Sequence, residues 1–95
     1  MIDVASVVKL APKARLRFDR HSQQHMLLYP ERGLVLSATA ADVVALLGEA
    51  RTVGAIVDRV VEKYGESSRA AITRDVLELL RDLADRGLLA QGSTS

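Results

Sequence analysis

The sequence predicts an α+β domain of winged-helix-like plan, a three-stranded antiparallel sheet followed by a three-helix bundle. Three observations carry that prediction. Residues 14–19 alternate apolar and polar side chains, and two further short strand-like runs, Gln24–Tyr29 and Leu34–Leu36, follow across two tight turns. From Thr39 onward apolar residues recur at i, i+3 and i+4, and isolated glycines interrupt them at Gly48, Gly65 and Gly87. The length of 95 residues suits one compact unit and leaves no room for a second.

Residues 1–11 are mildly apolar and end at Pro12. They read as a flexible N-terminal arm; the alternative is an extra strand, paired within the domain or with a second copy. The folded domain is then expected over residues 12–90. In Arg15–Asp19, Leu16 and Phe18 point one way and Arg15, Arg17 and Asp19 the other, as in a half-buried strand. Arg20–Gln23 is a polar turn, Gln24–Tyr29 a second strand, and Pro30-Glu31-Arg32-Gly33 a hairpin turn leading to the short strand Leu34-Val35-Leu36. Two tight connections in succession imply an antiparallel meander.

Thr39 with Asp42 resembles a capping box with Asp in place of Glu, followed by Val43, Leu46 and Leu47 on one face and a stop at Gly48. Thr52 caps the second helix, whose stripe is Val53, Ile56, Val57, Val60, Val61 and Tyr64, and Gly65 ends it. The third helix starts near Ser67 or Ser68, carries Ile72, Val76, Leu79, Leu80 and Leu83, and stops at Gly87. Arg74–Glu78, Arg81–Asp85 and Asp82–Arg86 at i, i+4 mark its solvated face. Residues 91–95 are expected to be a disordered tail.

Composition excludes several functions. The chain has no cysteine, so a disulfide scaffold, a thiolate metal site and a Cys nucleophile are all ruled out. No apolar run approaches the roughly 18 residues of a membrane span, and the start lacks the basic region of a signal peptide, so a cytoplasmic protein with no membrane contact is expected. Formal net charge is +1, but residues 1–36 hold six basic and three acidic side chains while residues 37–95 hold seven and nine. The sheet half is basic and the helical half slightly acidic. Both the second and the third helix are balanced in charge, and neither offers Asn or Gln to read base edges, which argues against nucleic acid; a winged-helix-like regulator binding nucleic acid or another protein stays the alternative function.

The residues offer no catalytic constellation. There is no Gly-rich phosphate loop, strained Ser elbow or Cys–His pair. His21 and His25 would stand about 13 Å apart in an extended strand, too far to share a metal. Acidic pairs such as Asp82 and Asp85 lie among arginines on an exposed helix face. No enzymatic activity, metal or cofactor is expected.

The stretch Leu27-Leu28-Tyr29-Pro30-Glu31-Arg32 resembles the L-L-x-P-E-R signature of the PqqD family. Pro12 with Arg15-Leu16-Arg17-Phe18-Asp19, Thr39-Ala40, Arg51-Thr52-Val53 with Ile56-Val57, and Asp75-Val76, Leu80, Leu83 and Gly87-Leu88-Leu89 extend the likeness in order over residues 12–89. The chain departs from the family's pattern at His25-Met26, where members often carry an aromatic. It departs again at Gly48-Glu49, where many place an acidic residue and then a glycine.

The resemblance implies a peptide chaperone and adaptor. Members bind a ribosomally made precursor peptide, PqqA, and deliver it to the radical SAM enzyme PqqE, which crosslinks a Glu and a Tyr within it for pyrroloquinoline quinone biosynthesis. Related domains take a leader peptide as an added strand between the third strand and the third helix. On that expectation the peptide site comprises Glu31, Arg32, Gly33, Leu34, Val35 and Leu36 from the turn and edge strand. From the third helix it takes Asp75, Val76, Leu79, Asp82 and Leu83, with Leu79 the best groove candidate. The basic face of Arg15 and Arg17 is a candidate for attracting an acidic peptide or an acidic patch on the partner enzyme. A monomer or weak homodimer is expected.

Overall fold

The computed structural model describes residues 2–30 and 32–91. Strands β1 (Val7–Leu10), β2 (Arg15–Asp19), β3 (Gln24–Tyr29) and β4 (Arg32–Leu36) come first. Helix α1 (Ala38–Leu46), strand β5 (Arg51–Thr52), helices α2 (Val53–Tyr64) and α3 (Arg69–Asp85), and strand β6 (Leu89–Gln91) follow. The α+β plan with a β2–β3–β4 meander and three helices is as expected. A second sheet, ordered β5–β1–β6, is not.

That second sheet corrects the N-terminal arm. Residues 7–10 form its central strand, with Val8 opposite both Arg51 and Gln91, and Val8 is 4% exposed. The amide of Ala11 donates to the Leu88 carbonyl at 2.8 Å, that of Leu10 to Leu47 at 2.9 Å, and Val53 donates back to Ser6 at 2.9 Å. The folded unit therefore begins before residue 12. At the other end Gln91 belongs to β6, while residues 92–95 of the expected tail lie outside the described residues.

The meander is built by local chemistry. The Asp19 carboxylate accepts the His21 amide at 3.0 Å and the Ser22 hydroxyl at 3.0 Å, closing the first turn, and Gln23 takes a left-handed φ of 59°. The Ser22 hydroxyl first, then the His21 amide, hold the Asp19 carboxyl below the usual carboxylate range. Leu16 pairs with Leu27, and Met26 with Val35. Leu27 and Leu36 are buried toward the helices, but Leu16 and Phe18 on the same side are 37% and 45% exposed. β2 touches α1, yet its apolar side is only partly covered.

Helix starts are set by single side chains. Ser37, not Thr39, caps α1, its hydroxyl accepting the Ala40 amide at 3.1 Å. Thr52 caps α2 as expected, accepting from Ala55 at 3.1 Å, and Gly65 ends that helix. A 3-10 turn over Glu66–Ser68 leads into α3. At its far end Gly87, with φ of 75°, permits a double closure: Leu88 donates to Leu83 at 2.9 Å and Gly87 to Ala84 at 3.0 Å. Of the surface pairs expected on α3, Asp82–Arg86 forms at 3.2 Å. Arg74 instead meets Asp75 at 3.6 Å, and Arg81 donates to the Ile2 carbonyl at 3.3 Å. Leu27, Leu47, Ile56, Leu80, Leu83 and Leu88 form the fully enclosed centre, and among the described residues no polar side chain is buried.

Candidate functional site

β4 is the last strand of its sheet, no strand among the described residues pairs with its outer edge, and β1 pairs in the other sheet. The bonding phase of β4 follows from the register. Tyr29 opposite Arg32 closes a two-residue connection, a position that exchanges hydrogen bonds, and such pairs alternate with unbonded ones. Leu34 and Leu36 therefore bond to β3, whereas Gly33 and Val35 direct their main-chain N–H and C=O to the open edge. Side chains alternate as well. Leu36 is buried and Leu34 half-buried on the helical side, while Val35 is 54% exposed on the opposite face.

Where β4 ends, a cleft of about 320 Å³ opens between α1 and α3. It is lined by Ser37, Thr39, Ala40, Val43, Asp75, Val76 and Leu79. Three residues expected on the third helix, Asp75, Val76 and Leu79, thus come together, and four that the sequence reading passed over line the other wall. Their signal was their position, directly after the edge strand and on the first turns of a helix whose small Ala40 leaves room. Val43 and Val76 are almost fully buried and Leu79 partly so, giving an apolar floor, whereas Asp75 stands at the rim beside Arg74.

Other expected residues lie elsewhere. Leu83 is 0% exposed and belongs to the core, because α3 turns that position toward the interior rather than the cleft. Asp82 is exposed away from the cleft lining, held by the Arg86 guanidinium at 3.2 Å. That guanidinium also donates to the Tyr29 hydroxyl at 3.4 Å, and the Tyr29 bond followed by Asp82 raises Arg86 further above its ordinary value. Arg32 is exposed at the start of β4, and Glu31 lies outside the described residues. Arg15 and Arg17 are exposed on the sheet face opposite α1.

The cleft is suited to binding. The Ser37 hydroxyl is engaged as the α1 cap, and neither a second carboxylate nor a histidine lines the wall to act on Thr39. His25 lies against Phe18 with ring centroids 4.9 Å apart. Among the described residues no three His, Cys, Asp or Glu side chains converge as a metal set, and no helix is long and apolar enough to cross a membrane.

Comparison with known proteins sets this geometry in a family. The family described as coenzyme PQQ synthesis protein D (PqqD) matches residues 24–89. A PqqA binding protein of Rhodopseudomonas palustris (strain BisB5) is 39% identical over 94 residues, covering 99% of this chain and 91% of that one. The solution structure of the PqqD truncation of Methylobacterium extorquens PqqCD is described as a stand-alone recognition element for ribosomally synthesized, modified peptides. It superposes with a TM-score of 0.80 at 32% identity, over 95% of both chains. TbiB1, solved in complex with the TbiA(beta) leader peptide, gives a TM-score of 0.71 at 25% identity, over 92% of this chain and 99% of that one. A family match over most of the fold, a relative alike from end to end and the same architecture in a solved member establish that this chain belongs to the PqqD family.

Proposed function

We propose that this chain is a peptide carrier that binds a PqqA-like precursor as an added strand along β4 and presents it to a PqqE-like radical SAM enzyme in pyrroloquinoline quinone biosynthesis. The observation that carries the reading is the unpaired outer edge of β4 together with the apolar cleft between α1 and α3 that begins at Ser37, the residue after that strand. Gly33 and Val35 supply main-chain pairing that demands little of the peptide's sequence, and the cleft selects by accepting alternate apolar side chains. A relative named for PqqA binding and a structural neighbour holding a leader peptide support the same reading.

The energetics suit a carrier. Ordering a disordered peptide costs on the order of 2–5 kcal/mol. Net affinity then falls around the micromolar range, which permits release to the enzyme. The chain contributes no catalytic group and no cofactor to the reaction; its part is to hold and orient. The test is an amide-resolved titration of the labelled chain with a synthetic PqqA-like peptide. Shifts are expected at Gly33–Ser37, Thr39–Ala40 and Asp75–Leu79. Shifts confined to the first residues and the C-terminal segment would sink the strand-addition reading.

A further inference from the structure

The β2–β3–β4 sheet has two faces, and α1 packs against one of them. Register and alternation put Arg15, Arg17, Met26, Leu28 and Val35 on the other. Arg15 and Arg17 are exposed, and Val35 is 54% exposed. Gly33 sits among them without a side chain. A Cβ there would meet Met26 Cε at 3.2 Å and Leu28 Cδ2 at 3.3 Å, so both side chains lie down over the glycine. The result is an aliphatic floor bordered along β2 by two guanidiniums and, at the far end, by the turn-bound Asp19 carboxylate.

Charge says what this floor takes. Among the described residues, Arg15, Arg17 and their neighbours Lys13 and Arg20 form no ion pair. In the helical half, Arg51, Arg59, Lys63, Arg69, Arg74 and Arg86 all have carboxylate partners, and Arg81 is bonded to the Ile2 carbonyl. Asp19, the acid on β2 itself, is engaged by its own turn. Among the described residues, positive charge is therefore neutralised internally on one side of the molecule and left without an ion-pair partner on the other. Arg15 and Arg17 are two positions apart on a strand, roughly 7 Å. That spacing suits two carboxylates of one partner segment, each held by a planar fork.

We infer that this outer face docks an acidic protein surface with an aliphatic centre, and that the surface is on the modifying enzyme. The inference rests on the proposed carrier function. A membrane is a poorer match, because the face has two cations and no aromatic side chain to seat at a lipid interface. Peptide and enzyme use different atoms of the same sheet: main-chain groups at the β4 edge for one, outer side chains for the other. Both can be held at once.

The test titrates the full chain and its Arg15→Glu/Arg17→Glu variant with the purified modifying enzyme, the synthetic precursor peptide and phosphatidylglycerol vesicles in turn. Charge reversal is expected to weaken enzyme binding by about tenfold or more and to flatten its salt dependence. Peptide affinity should be unchanged, and Arg15→Lys/Arg17→Lys should restore much of the enzyme binding. Enzyme affinity equal in the two chains overturns the assignment. So does vesicle binding that falls with charge reversal while enzyme binding does not. A peptide that leaves β4 unperturbed overturns strand addition alone, and the enzyme result expected here stands without it.

Discussion

Leu79 and Leu83 sit one helical turn apart on the same apolar stripe and meet different fates. Leu79 lines the cleft, and Leu83 is enclosed by the core. Periodicity groups both on one face but does not say where along the stripe the neighbouring helix stops covering it. That depends on how α1 crosses α3. Leu83→Ala is therefore expected to cost about 2–5 kcal/mol in urea unfolding. Leu79→Ala should cost little stability but remove about 1 kcal/mol of peptide contact, roughly fivefold in affinity by calorimetry. The reverse pattern would move the binding surface elsewhere.

Asp42 is a second residue whose partners could not be read locally. Its carboxylate accepts from Lys63 Nζ and from the Tyr64 hydroxyl, both at 2.9 Å, joining α1 to the end of α2 across twenty residues of chain. The Lys63 bond, with Tyr64 assisting, lowers the Asp42 carboxyl from its ordinary value of 3.8. A carboxyl lowered in the folded state stabilises fully above the unfolded value, and that contribution fades as pH falls through the folded one. The pair is largely exposed, so solvent screening keeps its contribution small. Asp42→Asn should melt lower than the parent at pH 7, and the gap should close below pH 3.8 in melts followed by circular dichroism. A gap that stays constant into strong acid would assign the effect to something other than this charge.

At the scale of elements, the meander and the three helices were legible because each has a local signature: period-two alternation with turn residues, or a 3.6 rhythm with caps and glycine stops. The α1 start was ambiguous by two positions, since Ser37 and Thr39 are both good caps and only the cap hydrogen bond decides. β5 and β6 had no such signature. Strands of two and three residues, Arg51–Thr52 and Leu89–Gln91, exist because β1 lies between them. Their partners are more than 40 positions away in sequence. Likewise, alternation told which residues of β2 share a side, but not that α1 would leave Leu16 and Phe18 uncovered.

The phase of β4 yields the element-level prediction. Val35 directs its N–H to the open edge, so Val35→Pro deletes a donor that β3 does not use. Peptide affinity should fall at least about fivefold, the worth of roughly one main-chain bond, while the helical signal is kept. Undiminished affinity would count against pairing along this strand.

For the molecule as a whole, the second sheet works as a clasp. β1 ties the start of the chain to the segment before α2 and to the segment after α3. Deleting residues 1–11 removes the central strand and the buried Val8, and should lower the melting midpoint by at least about 10 °C. An arm without structural weight would leave it unmoved.

The antiparallel pairing of Val8 with Gln91 also means that the first strand and the last lie side by side in one sheet. On the proposed reading, cargo boards along the other sheet. A reporter dye placed beside β1 or β6 therefore reads the clasp itself and stands on a different sheet from the proposed peptide edge at β4.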